Sequence, residues 1–409
     1  MTAREKNHNL TIMRFLHSGD WHLGKTLYDV SLEEDQKQFM EQVHEIFGDA
    51  KREGKPYDAL IIPGDIYDRN VPPAKAVSLL DDFLGRMSRD FPEAHVFILS
   101  GNHDGPARLG FASSFLEKSN IHIATDAAKT GDAVMVSGVA VYQIPFLLQT
   151  SFPDEETRTQ QRLFERATEI IRKSHAEKHP GTPAIVCAHA TVYGKSDGEH
   201  FLSVGTASSI DRELFSGFTY TALGHIHKYQ QLGENGNIFY SGSPLAYSFD
   251  DNTDKCFLSV EIGTDTEKPD SVERIPVRTL HPLIRLSGKF SDFIGEDARK
   301  KWAQYRDCYV EIKCTDSTLS ENPKRALLET FPRILSFVRE RSASGGGSDF
   351  EERRKLAMKQ GDSEVGLFRK FVRDMHPEDD HTVSAEQLEE EIALFAEAIG
   401  EMRNGGAEK

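Results

Sequence analysis

Five clusters of carboxylate, amide and imidazole side chains recur along the N-terminal part of this 409-residue chain: Asp20 with His22, Asp65, Asn102 with His103 and Asp104, His189, and His225 with His227. Donors of these types, with no thiolate among them, suit manganese, iron or zinc better than a soft-metal centre. Two cations roughly 3.5–4 Å apart normally share a bridging carboxylate and a water. Asp65 is the natural bridge, because it is the one acid of its cluster directly at a strand end. Such a pair acidifies a bound water and neutralises the charge that develops on phosphoryl oxygens during in-line attack, which is the chemistry of phosphoester hydrolysis. Each piece alone has a plainer reading. An Asp-x-His is usually a loop cap beside a surface histidine, Gly64-Asp65 and Gly101-Asn102 read as turns, and His189, His225 and His227 read as packed core histidines. The signal is the repetition, since each cluster follows an apolar run and all fall in one order. His17 lies outside that pattern and is taken as structural.

The runs that must carry these clusters are short and rich in β-branched or aromatic residues: Met13–Leu16, Ala59–Ile62, Val96–Leu99, Ala184–Cys187, Tyr220–Leu223 and Ile238–Tyr240. They predict buried strands. Helical spacing appears between them, in Phe39, Val43, Ile46 and Phe47, in Val77, Leu80, Phe83 and Leu84, and over Arg162–Lys173. The alternation predicts an α/β fold, and the denser strands after Ala133 predict a two-layered mixed β-sheet sandwich flanked by helices. In an open α/β sheet the carboxyl ends of the strands line the ligand crevice, so all five clusters are expected at one edge.

Past His281-Pro282 the pattern changes to strand, helix, strand (Cys308–Lys313), helix (Pro323–Thr330) and a last apolar stretch (Ile334–Val338), a small α+β capping domain. The expected division is a flexible N-terminal extension (1–12), a catalytic domain (13–281), the α+β domain (282–341), a Ser/Gly linker (342–348) and a helical tail (349–409). Hydrophobic residues make up 38% and charged residues 28%, a soluble globular balance. No apolar run reaches the roughly 20 residues of a membrane span, and Met1–Thr11 lacks an apolar signal core. Cys187, Cys256, Cys308 and Cys314 form no C-x-x-C pair, which predicts buried free thiols in a reducing cytoplasm. The net charge of −16 excludes a generally basic nucleic-acid binder. However, His376 to Lys409 carries ten acidic residues against Arg403 and Lys409, a net of −8, so half the acidity lies in the tail and a local groove for DNA stays open elsewhere.

Gly19-Asp20-Trp21-His22-Leu23-Gly24, Gly64-Asp65-Ile66-Tyr67-Asp68, Gly101-Asn102-His103-Asp104, His189 and Gly224-His225-Ile226-His227 match in order the signature of the calcineurin-like metallophosphoesterases. Asp20 to Gly24, Ala222 to His227, Tyr240-Ser241-Gly242-Ser243-Pro244 and Ser248-Phe249 resemble more narrowly the SbcD family, nuclease subunits of bacterial SbcCD complexes and relatives of the eukaryotic double-strand-break repair nuclease. The resemblance is specific over residues 13–250 and looser beyond. It implies that Asp20, His22 and His227 bind one metal and Asn102, His189 and His225 a second, with Asp65 bridging. His103 would protonate the leaving oxygen or stabilise the transition state, oriented by Asp104. It further implies two Mn2+ ions, 3′-to-5′ double-strand exonuclease and single-strand or hairpin endonuclease activity in DNA repair, recombination and replication, and a nucleoid-associated cytoplasmic location. Asp68 departs from the archaeal and eukaryotic relatives, which place a histidine there.

Candidate DNA contacts are Lys25, Arg69, Arg108, Lys195 and Lys228, with a solvated surface as the plainer reading of each. The helix bearing Ala76, Val77, Leu80, Phe83, Leu84 and Met87 has a broad apolar face that is mostly core. By resemblance, part of it forms a two-fold dimer contact. In the tail, Leu367, Phe368, Phe371, Val372 and Met375, and Leu388, Ile392, Phe395, Ile399 and Met402, make two apolar stripes. They pack on each other or dock in a partner's groove. By resemblance that partner is the SbcC ATPase, met through Phe368, Phe371, Leu388 and Phe395, in a heterotetramer. The alternatives are a small-molecule phosphodiesterase of the same superfamily and an inactive scaffold. An intact ligand set argues against the scaffold.

Overall fold

The computed structural model describes residues 13–193, 209–232, 236–251, 254–263, 267–316, 323–339 and 392–394. The chain divides into two compact units, Met1–Lys313 with Ser320–Val338, and Cys314–Leu319 with Arg339–Lys409. The first unit carries the architecture that follows. The extension 1–12, Lys195, the linker 342–348 and the tail residues Phe368, Phe371, Leu388 and Phe395 lie outside the described residues.

Two six-stranded sheets face each other. The first holds β1 (Met13–His17), β2 (Ala59–Ile62), β3 (His95–Leu99) and β4 (Ile121–Ala124), all parallel, with helices α1 (Glu33–Arg52) and α2 (Ala74–Asp90) in the β1–β2 and β2–β3 connections. The second is built from β5 (Val134–Val136), β6 (Val139–Ile144), β7 (Ala184–His189), β8 (Tyr220–Gly224), β9 (Gln230–Leu232) and β10 (Ile238–Tyr240), in the order β9-β10-β8-β7-β6-β5, with α3 (Gln160–Lys178) between β6 and β7. The chain then returns to the first sheet. There β11 (Cys256–Ile262) pairs antiparallel with β1 and β12 (Ser271–Pro276) forms the edge, giving the order β12-β11-β1-β2-β3-β4.

Period-two alternation sorts the side chains. Phe15, Ala59, Ile61, Phe97 and Leu99 from the first sheet meet Val139, Val141, Ile185, Tyr220, Ala222 and Phe239 from the second in one core between the sheets. Their neighbours Leu16, Leu60, Ile62 and Ile98 turn outward to Phe39, Val43, Leu80 and Phe83 of the helices. On the far side, Tyr142, Ile144 and Val186 pack against Leu163, Phe164, Ala167 and Ile171 of α3. Truncating an inter-sheet phenylalanine such as Phe15 to alanine costs about 3–5 kcal/mol by transfer and cavity terms. The two-layered mixed sandwich flanked by helices is thus the observed fold. α3 is longer than Arg162–Lys173 because Thr159 caps it, its side chain accepting from Arg162 N at 3.3 Å. On α2, Ala76, Leu80, Phe83, Leu84 and Met87 are buried and Val77 is exposed.

A third sheet, β13 (Leu283–Gly288), β14 (Tyr309–Cys314) and β15 (Ile334–Arg339), carries α4 (Gly295–Lys301) and the short α5 (Pro323–Leu327) around its own core of Phe293, Val310, Ile312, Leu327, Phe331 and Ile334. Asp35 of α1 ties it to the first sheet's helices. The Asp35 carboxylate accepts from His281 N at 3.0 Å and from Tyr309 Oη at 3.1 Å, and all three residues are buried. The four cysteines are free and buried. Among the described residues no helix is long and apolar enough to cross a membrane.

Candidate metal centre

Asp20 and His22 follow β1, Asp65 follows β2, and Asn102, His103 and Asp104 follow β3; His189 ends β7, and His225 and His227 follow β8. The strands belong to two sheets, so the edge expected from the sequence is the junction where the carboxyl ends of both sheets converge. Four of these residues hold left-handed backbone angles rare for side-chain-bearing residues: Asp20 (φ 55°), His22 (φ 44°), Asp65 (φ 49°) and His225 (φ 100°). Such conformations cost about 1–3 kcal/mol each and persist only where surroundings enforce them. For Asp20, His22 and Asp65 a backbone zipper does so, with Asp20 N on Gly64 O at 3.3 Å, His22 N on Asp65 O at 2.9 Å, Leu23 N on Ile66 O at 2.8 Å and Asp68 N on Leu23 O at 3.1 Å. Glycine is required at 64, where φ is +93° and a Cβ would strike the His189 ring, and at 101, where a Cβ would strike the Asp65 carboxylate.

The ligand atoms fall into three groups, each with its atoms within 4.8 Å of one another: Asp20, His22 and His227; Asp65, His189 and His225; and His22, Asp65 and His103, which overlaps the other two. His189 Nδ1 sits 2.9 Å from Pro63 O, a carbonyl that only accepts, so the proton is on Nδ1 and Nε2 offers a lone pair to the centre. Nε2 stands 3.0 Å from Asn102 Oδ1 and 3.3 Å from His225 Nδ1, which is itself 3.0 Å from the same Asn102 oxygen. His22 Nε2 and His227 Nε2 face each other at 3.2 Å. Asp20 Oδ1 accepts from His225 N at 2.8 Å, while Oδ2 is buried without a partner. Imidazole nitrogens and carbonyl oxygens that point at one another, beside an unpartnered buried carboxylate oxygen, are a donor set that divalent cations fit.

The electrostatics point the same way. Burial raises the Asp20 carboxyl to about 6, with the Asp65 charge adding to it. Burial acts to raise Asp65 too, but His189 and His22 outweigh it and hold it well below the usual carboxylate range. Burial opposes charge on His189, yet Asp65 and Asp20 lift it to about 9. Burial first, then the positive neighbours, push His225 down to about 4 and His227 to about 3. Before a cation binds, a protonated His189 thus partners two buried carboxylates, and a bound cation would take the place of its Nε2 proton, while His225 and His227 resist protons and keep their lone pairs for metal.

His103 joins the centre through its backbone, N donating to Asp65 Oδ1 at 2.9 Å, while its Nδ1 meets Asp68 O at 2.9 Å. The orienting contact expected from Asp104 is not made by that carboxylate. Asp104 is buried and accepts from the backbone amides of Ile66 (3.1 Å), Tyr67 (2.9 Å) and Gly101 (2.9 Å), so it ties the second and third loops together. His17 is buried and bonded to Tyr220 Oη at 3.0 Å, a structural residue as read. Among the candidate DNA contacts, Lys25 Nζ is engaged by Asp68 at 2.7 Å and Arg108 donates to Asn70 Oδ1 at 3.0 Å, whereas Arg69 and Lys228 are exposed.

Three supports were not legible from ligand chemistry. Ser241 Oγ accepts from Gly19 N at 2.8 Å, and Tyr247 Oη donates to Asp20 O at 3.1 Å and Trp21 O at 2.8 Å. Lys255 Nζ donates to His227 O at 2.9 Å and Asp251 Oδ2 at 2.6 Å. All three act on backbone atoms or on loop residues, and only the Tyr240–Phe249 motif marked the region of the first two.

A two-sheet sandwich that gathers a dinuclear Asp/Asn/His donor set at its strand ends defines a metal-dependent phosphoesterase. The calcineurin-like phosphoesterase family model matches residues 13–229, more than half of the chain, and the chain belongs to that family.

Proposed function

We propose that this phosphoesterase is a DNA nuclease of the SbcD type, manganese-dependent and working with an SbcC-type ATPase. One observation carries the reading. The Tyr240–Phe249 motif, which resembles the SbcD family, lies beneath the metal centre and is wired to it. Tyr240 Oη donates to Ala190 O at 2.6 Å and accepts from Val192 N at 2.8 Å in the loop after His189, Ser241 holds Gly19, and Tyr247 holds Asp20 and Trp21.

In this reading Asp20, His22 and His227 would hold one cation and Asn102, His189 and His225 the other, with Asp65 serving both. Divalent cations bound there supply Lewis acidity toward a phosphoryl oxygen and an acidified water. His103 donates its Nδ1–H to Asp68 O, which leaves Nε2 available; in the imidazolium form, Nε2–H would be the group that passes its proton to the departing oxygen and leaves a neutral ring. Asn102 is exposed to solvent at the centre, which in this reading lets a polymer backbone approach it. The partner and dimer contacts are proposed from the resemblance alone.

The test sets Mn2+-dependent release of nucleotides from duplex DNA beside hydrolysis of a bis-phenyl phosphodiester. Turnover of the small diester with intact DNA would favour the small-molecule reading. For the partner, a chain ending at Arg341 is expected to keep Mn2+-dependent cleavage of short single strands and to lose SbcC; full-strength co-purification would move the docking site elsewhere.

A further inference from the structure

The two ring nitrogens of His22 look in opposite directions. Nε2 faces the centre, 3.2 Å from His227 Nε2 and 3.6 Å from Asp65 Oδ2. Nδ1 faces away, is buried, and has no hydrogen-bond partner. A buried nitrogen left unpaired costs about 1–3 kcal/mol, so a partner within reach matters. Asp68 Oδ1 stands 3.5 Å from it, just beyond hydrogen-bond range. Asp68 cannot wander, because its amide donates to Leu23 O at 3.1 Å on the same backbone zipper that fixes His22. Its Oδ1 also takes the Lys25 ammonium at 2.7 Å, and Lys25 Nζ in turn lies 5.3 Å from the centre of the Tyr247 ring. The same residue's carbonyl holds His103 Nδ1 at 2.9 Å.

We infer that Asp68 is a positioning residue for the metal centre: its carboxylate, clamped by Lys25, fixes the tautomer and ring angle of His22, while its carbonyl fixes His103. A carboxylate behind a ligating imidazole keeps the proton on the far nitrogen and raises the basicity of the near one. Lys25 supplies charge balance and a second anchor, which assigns this lysine to the centre's support rather than to a DNA backbone. One side chain and one carbonyl of a single residue thus couple a ligand to the proton donor. The inference rests on His22 being a metal ligand.

The test is calorimetric titration of metal-stripped, full-length chain with Mn2+, with Asp65→Ala as control and thermal melting of the metal-free proteins as the fold check. Asp68→Asn keeps the carbonyl and the shape but loses the charge. It is expected to weaken one of two Mn2+ equivalents by about 10–100-fold and to leave the other unchanged, the usual penalty for losing such a partner. Asp68→Glu should recover part of that loss. Lys25→Met should weaken the same equivalent by a smaller factor, and Lys25→Arg should restore it. Two equivalents at wild-type affinity in Asp68→Asn would overturn the inference while leaving the phosphoesterase reading intact. Equal weakening of both equivalents with a lowered melting temperature would also overturn it, as a merely structural role. A wild-type chain that takes up no Mn2+, like Asp65→Ala, would remove both readings together.

Discussion

Behind His22 stands a side-chain carboxylate, Asp68 at 3.5 Å; behind His189 stands a backbone carbonyl, Pro63 O at 2.9 Å. The group of Asp20, His22 and His227 is backed, beyond the backbone zipper at Asp20 and His22, by the side chains of Asp68, Lys25, Tyr247 and Lys255. The group of Asp65, His189 and His225 is backed by main chain, with Asn102 exposed at its mouth. Backbone support is fixed by the fold and cannot be edited without moving a strand. Side-chain support is held by charge and can be altered one residue at a time. The first half of the centre is therefore the adjustable half, and the second the rigid one.

The largest break in that comparison comes at the residue both halves share. Asp65→Ala should abolish hydrolysis and strip metal from both halves, because its carboxylate lies 3.6 Å from His22 and 3.4 Å from His189. On the proposed role of His103 in proton transfer rather than metal binding, His103→Ala should lower turnover by about 10²–10⁴-fold with metal content near wild type. Elemental analysis beside activity separates the two, and equal metal loss in both variants would sink the division of roles. Next in size, His227→Ala and His225→Ala should each remove one Mn2+ equivalent, from opposite halves. Double-mutant titrations with Asp68→Asn should then show coupling only for His227→Ala.

Tyr247→Phe is smaller. It deletes a hydroxyl that serves Asp20 O and Trp21 O, a net loss of about 1 kcal/mol, and should shift affinity in the adjustable half alone. The smallest effect is on stability against pH, away from the centre. His122 stacks on Phe97 and contacts His95, and burial, then the His95 charge, pushes it from 6.5 down to about 4. The folded chain therefore binds this proton more weakly than the unfolded chain. The contribution of neutral His122 is fully present above pH 6.5 and is lost as pH falls from 6.5 toward about 4. Thermal melts of metal-free protein should show His122→Gln gaining on wild type across that window; parallel curves would remove His122 as the source.

The candidate ligands were legible because a dinuclear site needs particular donor atoms, and Asp20, His22, Asp65, Asn102, His189, His225 and His227, which carry such atoms, all follow strand ends and converge. The sandwich was legible because alternating residues such as Phe15 and Leu16 must satisfy two different cores. What the sequence hid was orientation. Asp104 follows His103 directly, which made it the expected partner, yet the chain's turn sends its carboxylate to three amides and gives His103 to the carbonyl of Asp68. Left-handed angles at Asp20, His22 and Asp65 leave no mark in residue type, because their enforcement comes from the partner loop. The Tyr240–Phe249 motif marked Ser241 and Tyr247, but not what they act on, which is backbone of the first loop, and nothing marked Lys255, whose ammonium reaches His227 O and Asp251.

The strand β11 has a consequence for how the molecule comes into being. It pairs with β1, Phe15 opposite Val260 and His17 opposite Leu258, so the strand that leads to Asp20 and His22 waits for a neighbour more than two hundred residues downstream. At synthesis rates of about 5–20 residues per second, that neighbour emerges roughly ten to fifty seconds later. Until then the nascent first sheet presents an open edge along β1, a template for pairing with other chains. The residues matched by the family stop at 229, short of β11, so a fragment cut there would carry every metal ligand and still lack the strand that closes its edge. Closure of that edge is in this sense a late event of synthesis, possible only after the last candidate ligand has been made.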